Sequence, residues 1–245
     1  MLISGSCNVF FIADSNGTTV EYCATRDQVG DDTNHGEVVN LYYCNDAIVR
    51  YNIFRDAYVD AVLFHGTAVI SITGSSGHRI YGNILDGFTG SDAAMGYLGS
   101  TATDVQVYNN TINNANPSWG SGIHLANNAN NIVQNNLWFD CQTPSFSAGM
   151  TRSYNGYDVA SNGESNGQFN MSTSIFTNYA GRNFHLASAT TAGATLSSPY
   201  NTDMDGVTRG GDGTWDRGAF EYGAGGQPPT QQSSWVLAYR SVRSF

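Results

Sequence analysis

Lysine is absent from the 245 residues, and all ten basic side chains are arginine. That excludes a Schiff-base nucleophile, a lysine general base and a P-loop. Charge of either sign is scarce, with 12% of residues charged against a usual share of roughly 25%. The balance is acidic, at a net charge of −10. Ten scattered arginines form no basic cluster to neutralise a phosphate backbone, so nucleic acid is not expected as a partner. No apolar run approaches the roughly 18 residues of a membrane span, so no membrane insertion is expected. Met1-Leu2-Ile3-Ser4 carries neither a positive n-region nor a long apolar stretch, and no signal peptide is read there. Cysteine is limited to Cys7, Cys23, Cys44 and Cys141 with no C-x-x-C pair. A zinc knuckle and a dithiol redox motif are thereby excluded, while disulfide pairing stays open.

Glycine (28) and asparagine (25) take the place of the missing charge, and hydrophobic residues make up 40%, enough for a core. A short pattern recurs. Val49-Arg50-Tyr51-Asn52 is echoed by Ile80-Tyr81-Gly82-Asn83, Val107-Tyr108-Asn109-Asn110 and Val133-Gln134-Asn135-Asn136. An earlier copy, Val20-Glu21-Tyr22-Cys23, has Cys in the last place, and the spacings are 29, 31, 27 and 26 residues. Ten residues before each lies a period-2 segment: Phe10-x-Ile12, Val39-x-Leu41, Ile70-x-Ile72, Tyr97-x-Gly99 and Ile123-x-Leu125. After each Asn comes a further apolar pair, as in Ile53-Phe54 and Ile84-Leu85. Each unit thus reads as three short strands separated by turns. A unit of under about 35 residues cannot bury its own core and must stack on copies of itself. The Asn column is expected to occupy left-handed turn positions and to bond from one copy to the next. Glu21, Arg50, Tyr81, Tyr108 and Gln134 are expected to form an outward column on the second strand.

These repeats resemble the right-handed parallel β-helix repeat family, the pectate-lyase-like superfamily, over residues 8–140. The resemblance implies an all-β, right-handed parallel β-helix of about five coils. Downstream, Ser174–Asn178, Asn183–Leu186, Asp203–Arg209 and Asp216-Arg217-Gly218-Ala219-Phe220-Glu221-Tyr222 are similar to the closing segment of many secreted bacterial β-helix proteins. Those end near D-x-G-A-x-E-Y, usually with Ile where Arg217 stands. By that similarity residues 1–222 form one β-helical domain, with 142–222 as a C-terminal cap on the last coil. Residues 223–234 read as a Gly/Pro/Gln/Ser linker, and 235–245 as a short tail, expected to be truncated.

The family's substrate cleft runs along the outer face of the first strand of each coil. Asn40, Tyr42 and Ser71 stand there as substrate-binding candidates, with Phe11, Leu98 and His124 in equivalent positions. His124 is the catalytic candidate, an acid or base with Asp92 as partner carboxylate and Trp119 as a sugar-stacking wall. Tyr42 lies three coils from His124, roughly 14 Å, too far to share one scissile bond. Arg26-Asp27 and Arg55-Asp56 occupy the same place in adjacent coils. Asp27 and Asp56 are therefore candidate Ca²⁺ ligands, the alternative being Arg–Asp pairs that tie two coils. His78 and Asp203-x-Asp205-Gly206 are read as turns. The resemblance implies an extracellular or cell-surface, monomeric protein that processes a polysaccharide, as lyase or glycoside hydrolase. The alternative is a non-catalytic carbohydrate-binding or structural β-helix. The two separate on whether Asp92, Trp119 and His124 converge.

Overall fold

The computed structural model describes residues 3–4, 10–26, 28–30, 37–59, 70–73, 76–89, 102–115, 123, 130–142, 144–146, 148–223 and 236–237. Within them the chain is all-β, with one short 3₁₀ turn at Thr173–Ile175, and its main sheets are parallel.

Where all three segments of a repeat are described, they go to three different sheets. The first sheet pairs Phe10–Ala13, Val39–Tyr42 and Ile70–Thr73, with Phe10, Val39 and Ile70 in register. The second is six-stranded and aligns Val20, Val49, Ile80, Val107, Val133 and Arg152. The third is nine-stranded and aligns Ile53, Ile84, Thr111, Leu137 and Gly156. Alternation puts one set of side chains inside. Val39, Leu41, Ile70, Ile72, Val49, Ile80, Val107 and Val133 are buried in one cluster, with Phe10 and Ile12 packed against it. Burying each of these side chains contributes roughly 1.5–3 kcal/mol. Ordering a residue costs about 1–2 kcal/mol, so the few inward side chains of one repeat do not hold it without neighbours. Ile123 is buried and bridges Phe146; Leu125 and Tyr97-x-Gly99 lie outside the described residues.

A left-handed residue ends each second-sheet strand: Tyr22, Tyr51, Gly82, Asn109, Asn135 and Tyr154 all have φ between 52° and 64°. The ladder Asn is the residue after it, which corrects the expectation that the Asn itself is left-handed. The turn spends its unusual backbone one position early and so aims the Asn amide inward.

Asn52, Asn83, Asn110 and Asn136 then form one chain of amides. Asn52 Nδ2 donates to Asn83 Oδ1 (2.9 Å), Asn83 to Asn110 (2.9 Å) and Asn110 to Asn136 (2.9 Å). Each Oδ1 also accepts the backbone N–H of the Asn one repeat earlier. Each Nδ2 gives its second hydrogen to a carbonyl of the preceding repeat, as Asn110 does to Ile80 O at 3.0 Å. The column is longer than the four expected members. Asn136 donates to Asn155, and Asn155 to Glu164 Oε1, both at 3.0 Å. Glu164 has only acceptors and ends the run, its other oxygen taking the Tyr157 hydroxyl at 2.6 Å. At the other end Cys23 N–H still donates to Asn52 Oδ1 at 2.9 Å.

A second, exposed ladder marks the turn between the first and second sheets. Asn45 Nδ2 donates to Asn16 Oδ1 (3.2 Å) and Ser76 Oγ to Asn45 Oδ1 (3.0 Å). Two residues on, His78 Nδ1 accepts the Ala47 N–H (3.1 Å), as Asn131 Oδ1 accepts that of Val105 (2.9 Å).

The expected cap divides into two parts. Thr151–Ser153 and Gly156–Tyr157 continue the second and third sheets in register. Residues 171–222 then return along the side, over the turns between those two sheets. The Tyr200 ring sits edge-on between Tyr81 and Tyr108, at 4.9 and 4.8 Å. Trp215 Nε1 donates to Asn109 Oδ1 (3.3 Å), Gly218 N to Asn135 O (2.7 Å) and Ala219 N to Thr111 Oγ1 (3.0 Å). The column Glu21–Arg50–Tyr81–Tyr108–Gln134 keeps its predicted register. Tyr81 and Tyr108 are nevertheless buried, because the returning segment covers them.

The closing motif is a reciprocal clamp. Asp216 Oδ2 accepts from Tyr222 N, and Glu221 Oε2 accepts from Asp216 N. Gly218 stands at φ 91°, and a Cβ there would come within 2.6 Å of Leu137 Cδ1. Arg217, the departure from the family pattern, donates to Asn155 O, Asn166 O and Ala192 O.

The buried ladder and the exposed one predict different costs. Asn110→Ala leaves the Asn83 N–H and one Asn83 Nδ2 hydrogen without an acceptor in the interior, a loss of about 3 kcal/mol and a drop of roughly 6–12 °C in Tm. Asn45→Ala, whose partners reach water, is expected to cost under about 1 kcal/mol. Equal melting points for the two variants would show that burial does not set the ladder's worth.

Candidate functional site

The alternation that buries Val39 and Leu41 sends Asn40 and Tyr42 outward, with Phe11 and Ala13 opposite them on the neighbouring strand. Phe11 is 55% exposed, Tyr42 41% and Tyr43 54%. Their rings touch in series. Phe11 and Tyr42 have centroids 6.0 Å apart, and Tyr42 and Tyr43 4.5 Å apart at 90°. Tyr43 follows the strand in a left-handed turn at φ 46°, which brings its ring back against Tyr42. Four large hydrophobic side chains are exposed among the described residues, and three of them meet here. The fourth, Tyr22, leans on Tyr51 at another turn. A contiguous exposed apolar patch of this kind marks an interaction surface.

Beside the rings is a polar group without a partner. Asn40 is in register with Phe11 on one side and Ser71 on the other. Its Oδ1 is buried and accepts no hydrogen bond, a state that costs about 1–3 kcal/mol until a donor arrives. Exposed rings around an unfilled acceptor suit a ligand with both apolar faces and hydroxyl donors.

Among the residues predicted from sequence, Asn40, Tyr42 and Ser71 are therefore brought together on adjacent strands. His124, Asp92, Trp119 and Asp27 lie outside the described residues. Asp56 is on the third sheet, in the strand Ile53–Val59. Both its oxygens accept from Arg182, at 2.9 Å each. The same guanidinium donates to Asp86 Oδ2 at 2.5 Å, and Asp86 Oδ1 accepts from Asn113 Nδ2 at 2.8 Å. Arg182 thus ties the returning segment to successive repeats, and burial of these oxygens makes the pairing strong relative to an exposed one. No group of three or more His, Cys, Asp or Glu side chains is placed to hold a metal ion among the described residues. Cys23, Cys44 and Cys141 are not joined in disulfides. Tyr43 was not anticipated from the sequence; an aromatic residue in a polar turn, directly after an outward Tyr, is the signal that marks it.

Of the titratable groups with displaced pKa values, Cys44 directly follows Tyr43, and burial pushes its thiol up. His78 is fully buried, its Nδ1 taken by the Ala47 N–H, and burial lowers its pKa to about 4. Glu221 is pushed up to about 7 by burial, against the backbone N–H groups of Gly210 and Asp216 and the nearby Arg209. Arg209 is 3.5 Å from Glu221 and also faces Asp203 and Asp216. One guanidinium cannot neutralise three carboxylates, and burial raises Asp203 and Asp216 as well. Half-buried His185 lies between Asn183 and Asp205, with its ring 3.8 Å from that of Phe220. Apart from Cys44, these groups hold the fold, and none of them meets the exposed rings.

In comparisons with known proteins, no family model, no curated protein and no solved structure matches the chain.

His78 and Glu221 oppose each other in pH. Above pH 6.5 His78 is neutral both folded and unfolded. As pH falls from 6.5 to 4 only the unfolded chain takes up the proton, so stability is lost. Glu221 holds its proton in the folded state up to about pH 7, so its contribution is complete below 4.5 and is lost as pH rises through 7. Each term amounts to about 2 kcal/mol between pH 5 and 7.5. His78→Asn, which keeps an acceptor for Ala47 as Asn131 does for Val105, is expected to make the protein more stable at pH 5 than at pH 7.5. Glu221→Gln is expected to reverse that slope. Urea unfolding at the two pH values measures both, and parallel behaviour of the two variants would show that the assignment is wrong.

Proposed function

We propose that this chain is a right-handed parallel β-helix whose first sheet binds an extended polysaccharide. Second and third parallel sheets that gain a strand per repeat, a first sheet that does so over three repeats, and an amide ladder running through successive repeats support the architecture. The contiguous exposed rings of Phe11, Tyr42 and Tyr43 around the unfilled Asn40 oxygen carry the functional reading. A pyranose ring is amphipathic: its C–H face packs on an aromatic ring, and its rim of hydroxyls donates and accepts hydrogen bonds. Strands of successive repeats lie about 4.8 Å apart, so a glycan laid along the repeat axis meets one repeat after another. Many weak contacts then add along one chain. In this reading the protein works outside the cell or on its surface, as a monomer. Binding is the step that the catalytic and the non-catalytic readings share, and the first-sheet rings bear on it alone.

Affinity electrophoresis in gels containing soluble polysaccharides tests it. Tyr42→Ala and Phe11→Ala are each expected to weaken binding about tenfold, equivalent to about 1.4 kcal/mol. Tyr22→Ala, an exposed ring elsewhere, is expected to leave it unchanged. Full affinity in Tyr42→Ala would remove the first sheet as the site.

A further inference from the structure

Among the described residues, no arginine stands on the strands that carry the aromatic face. There is no lysine in the chain, so every permanent positive side chain is one of ten arginines. Arg240 and Arg243 lie outside the described residues; the other eight are placed. Arg50, Arg79 and Arg152 are on the second sheet. Arg26 directly follows the third-sheet strand Cys23–Thr25, and Arg55 is within the strand Ile53–Val59 of that sheet. Arg182, Arg209 and Arg217 belong to the returning segment, where carboxylates and carbonyls hold them. None of the eight stands on the three strands of the first sheet.

The described residues along the chain beside the rings are uncharged or negative. Asn40, Tyr42 and Tyr43 are neutral. Asp14, exposed and left-handed at φ 50°, follows the strand that carries Phe11. Asp46, also exposed, stands three residues beyond Tyr43. The chain as a whole has a net charge of −10. Within the Debye length of about 8 Å at physiological salt, a uronate or sulfate on a bound glycan would be repelled here. Hydrogen bonding points the same way. The vacant group is an acceptor, Asn40 Oδ1. A sugar hydroxyl or an N-acetyl N–H donates to it, whereas an ionised carboxylate or sulfate has only acceptors.

We infer that the first-sheet face selects a neutral polysaccharide, one without uronate or sulfate groups, with the Asn40 amide turning outward so that its buried Oδ1 takes a donor from the sugar. The inference rests on the polysaccharide-binding reading above and narrows it. It also identifies Asn40 as the group that decides specificity, since the rings alone would accept any pyranose face.

The test is titration calorimetry of the full chain against a soluble neutral glucan, mannan and xylan, and against polygalacturonate, alginate and a sulfated galactan. Each is run at low and high salt, with and without chelator. The expected result is binding to a neutral polymer that changes less than twofold with salt or chelator. That binding weakens about tenfold in Tyr42→Ala and at least fivefold in Asn40→Ala. Binding of a polyanion that Tyr42→Ala weakens would overturn the neutral preference while leaving the face as a polysaccharide site. Binding of a polyanion that is lost in Arg26→Ala or with chelator would overturn the inference by showing an arginine or a metal ion as the anchor. A neutral polymer bound equally well by wild type and Asn40→Ala would remove Asn40 as the selector. Silence from all six polymers would overturn the inference together with the polysaccharide reading on which it stands.

Discussion

The interior run of amides from Asn52 to Glu164 is the constraint on which the rest of the structure depends. Each turn between the second and third sheets brings a backbone N–H into the core, where an unpaired donor costs about 1–3 kcal/mol. The Asn of the next repeat supplies the acceptor, and its own amide nitrogen supplies donors to the repeat before. A repeat is therefore satisfied only when its neighbours are in register, and a slip of one residue would strand several polar groups at once. The chain of amides also has a direction, since every Nδ2 in the run points to the Oδ1 of the next member. Aligned hydrogen bonds polarise one another, and a carboxylate at the accepting end, Glu164, completes the series.

That register is what makes the side of the molecule available for a second layer. Because the left-handed residues align, Tyr51, Tyr81 and Tyr108 form a continuous surface, and the segment 171–222 lies on it. Arg182 bonds Asp56 and Asp86 of two successive repeats, Tyr200 packs between Tyr81 and Tyr108 of two, and Trp215 and Ala219 both hold the repeat of Asn109 and Thr111. A slip between repeats would break several of these contacts together, so the returning segment reinforces the ladder from outside. The cost is a buried cluster of Arg209 with Asp203, Asp216 and Glu221, in which burial pushes all three carboxyl groups up.

The same geometry leaves Phe11, Tyr42 and Tyr43 exposed on the first sheet. The returning segment occupies the turns between the other two sheets, and the described arginines follow it or the second and third sheets. None of those arginines stands on the strands that carry Phe11 and Tyr42. A surface of rings and amide in an acidic molecule suits a ligand recognised by shape and hydroxyl groups more than by charge.

The three-strand repeat and its register were legible in the sequence, because strand alternation and the spacing of Asn are local patterns with a fixed period. Residue identity sufficed to put Val39 and Leu41 inside and Asn40 and Tyr42 outside, since a strand alternates faces whatever surrounds it. The ladder Asn was legible, but its backbone was not: Tyr51 and Gly82 share the left-handed place, and no residue type common to the column signals it. Asn155 and Glu164 escaped because they end the ladder at shorter spacings, 19 and 9 residues. The burial of Tyr81 and Tyr108, and the capture of Asp56 by Arg182 from 126 residues away, were decided only by the tertiary structure. Contacts across that separation depend on where the chain returns, and nothing periodic in the sequence encodes the path of a segment that makes no repeat.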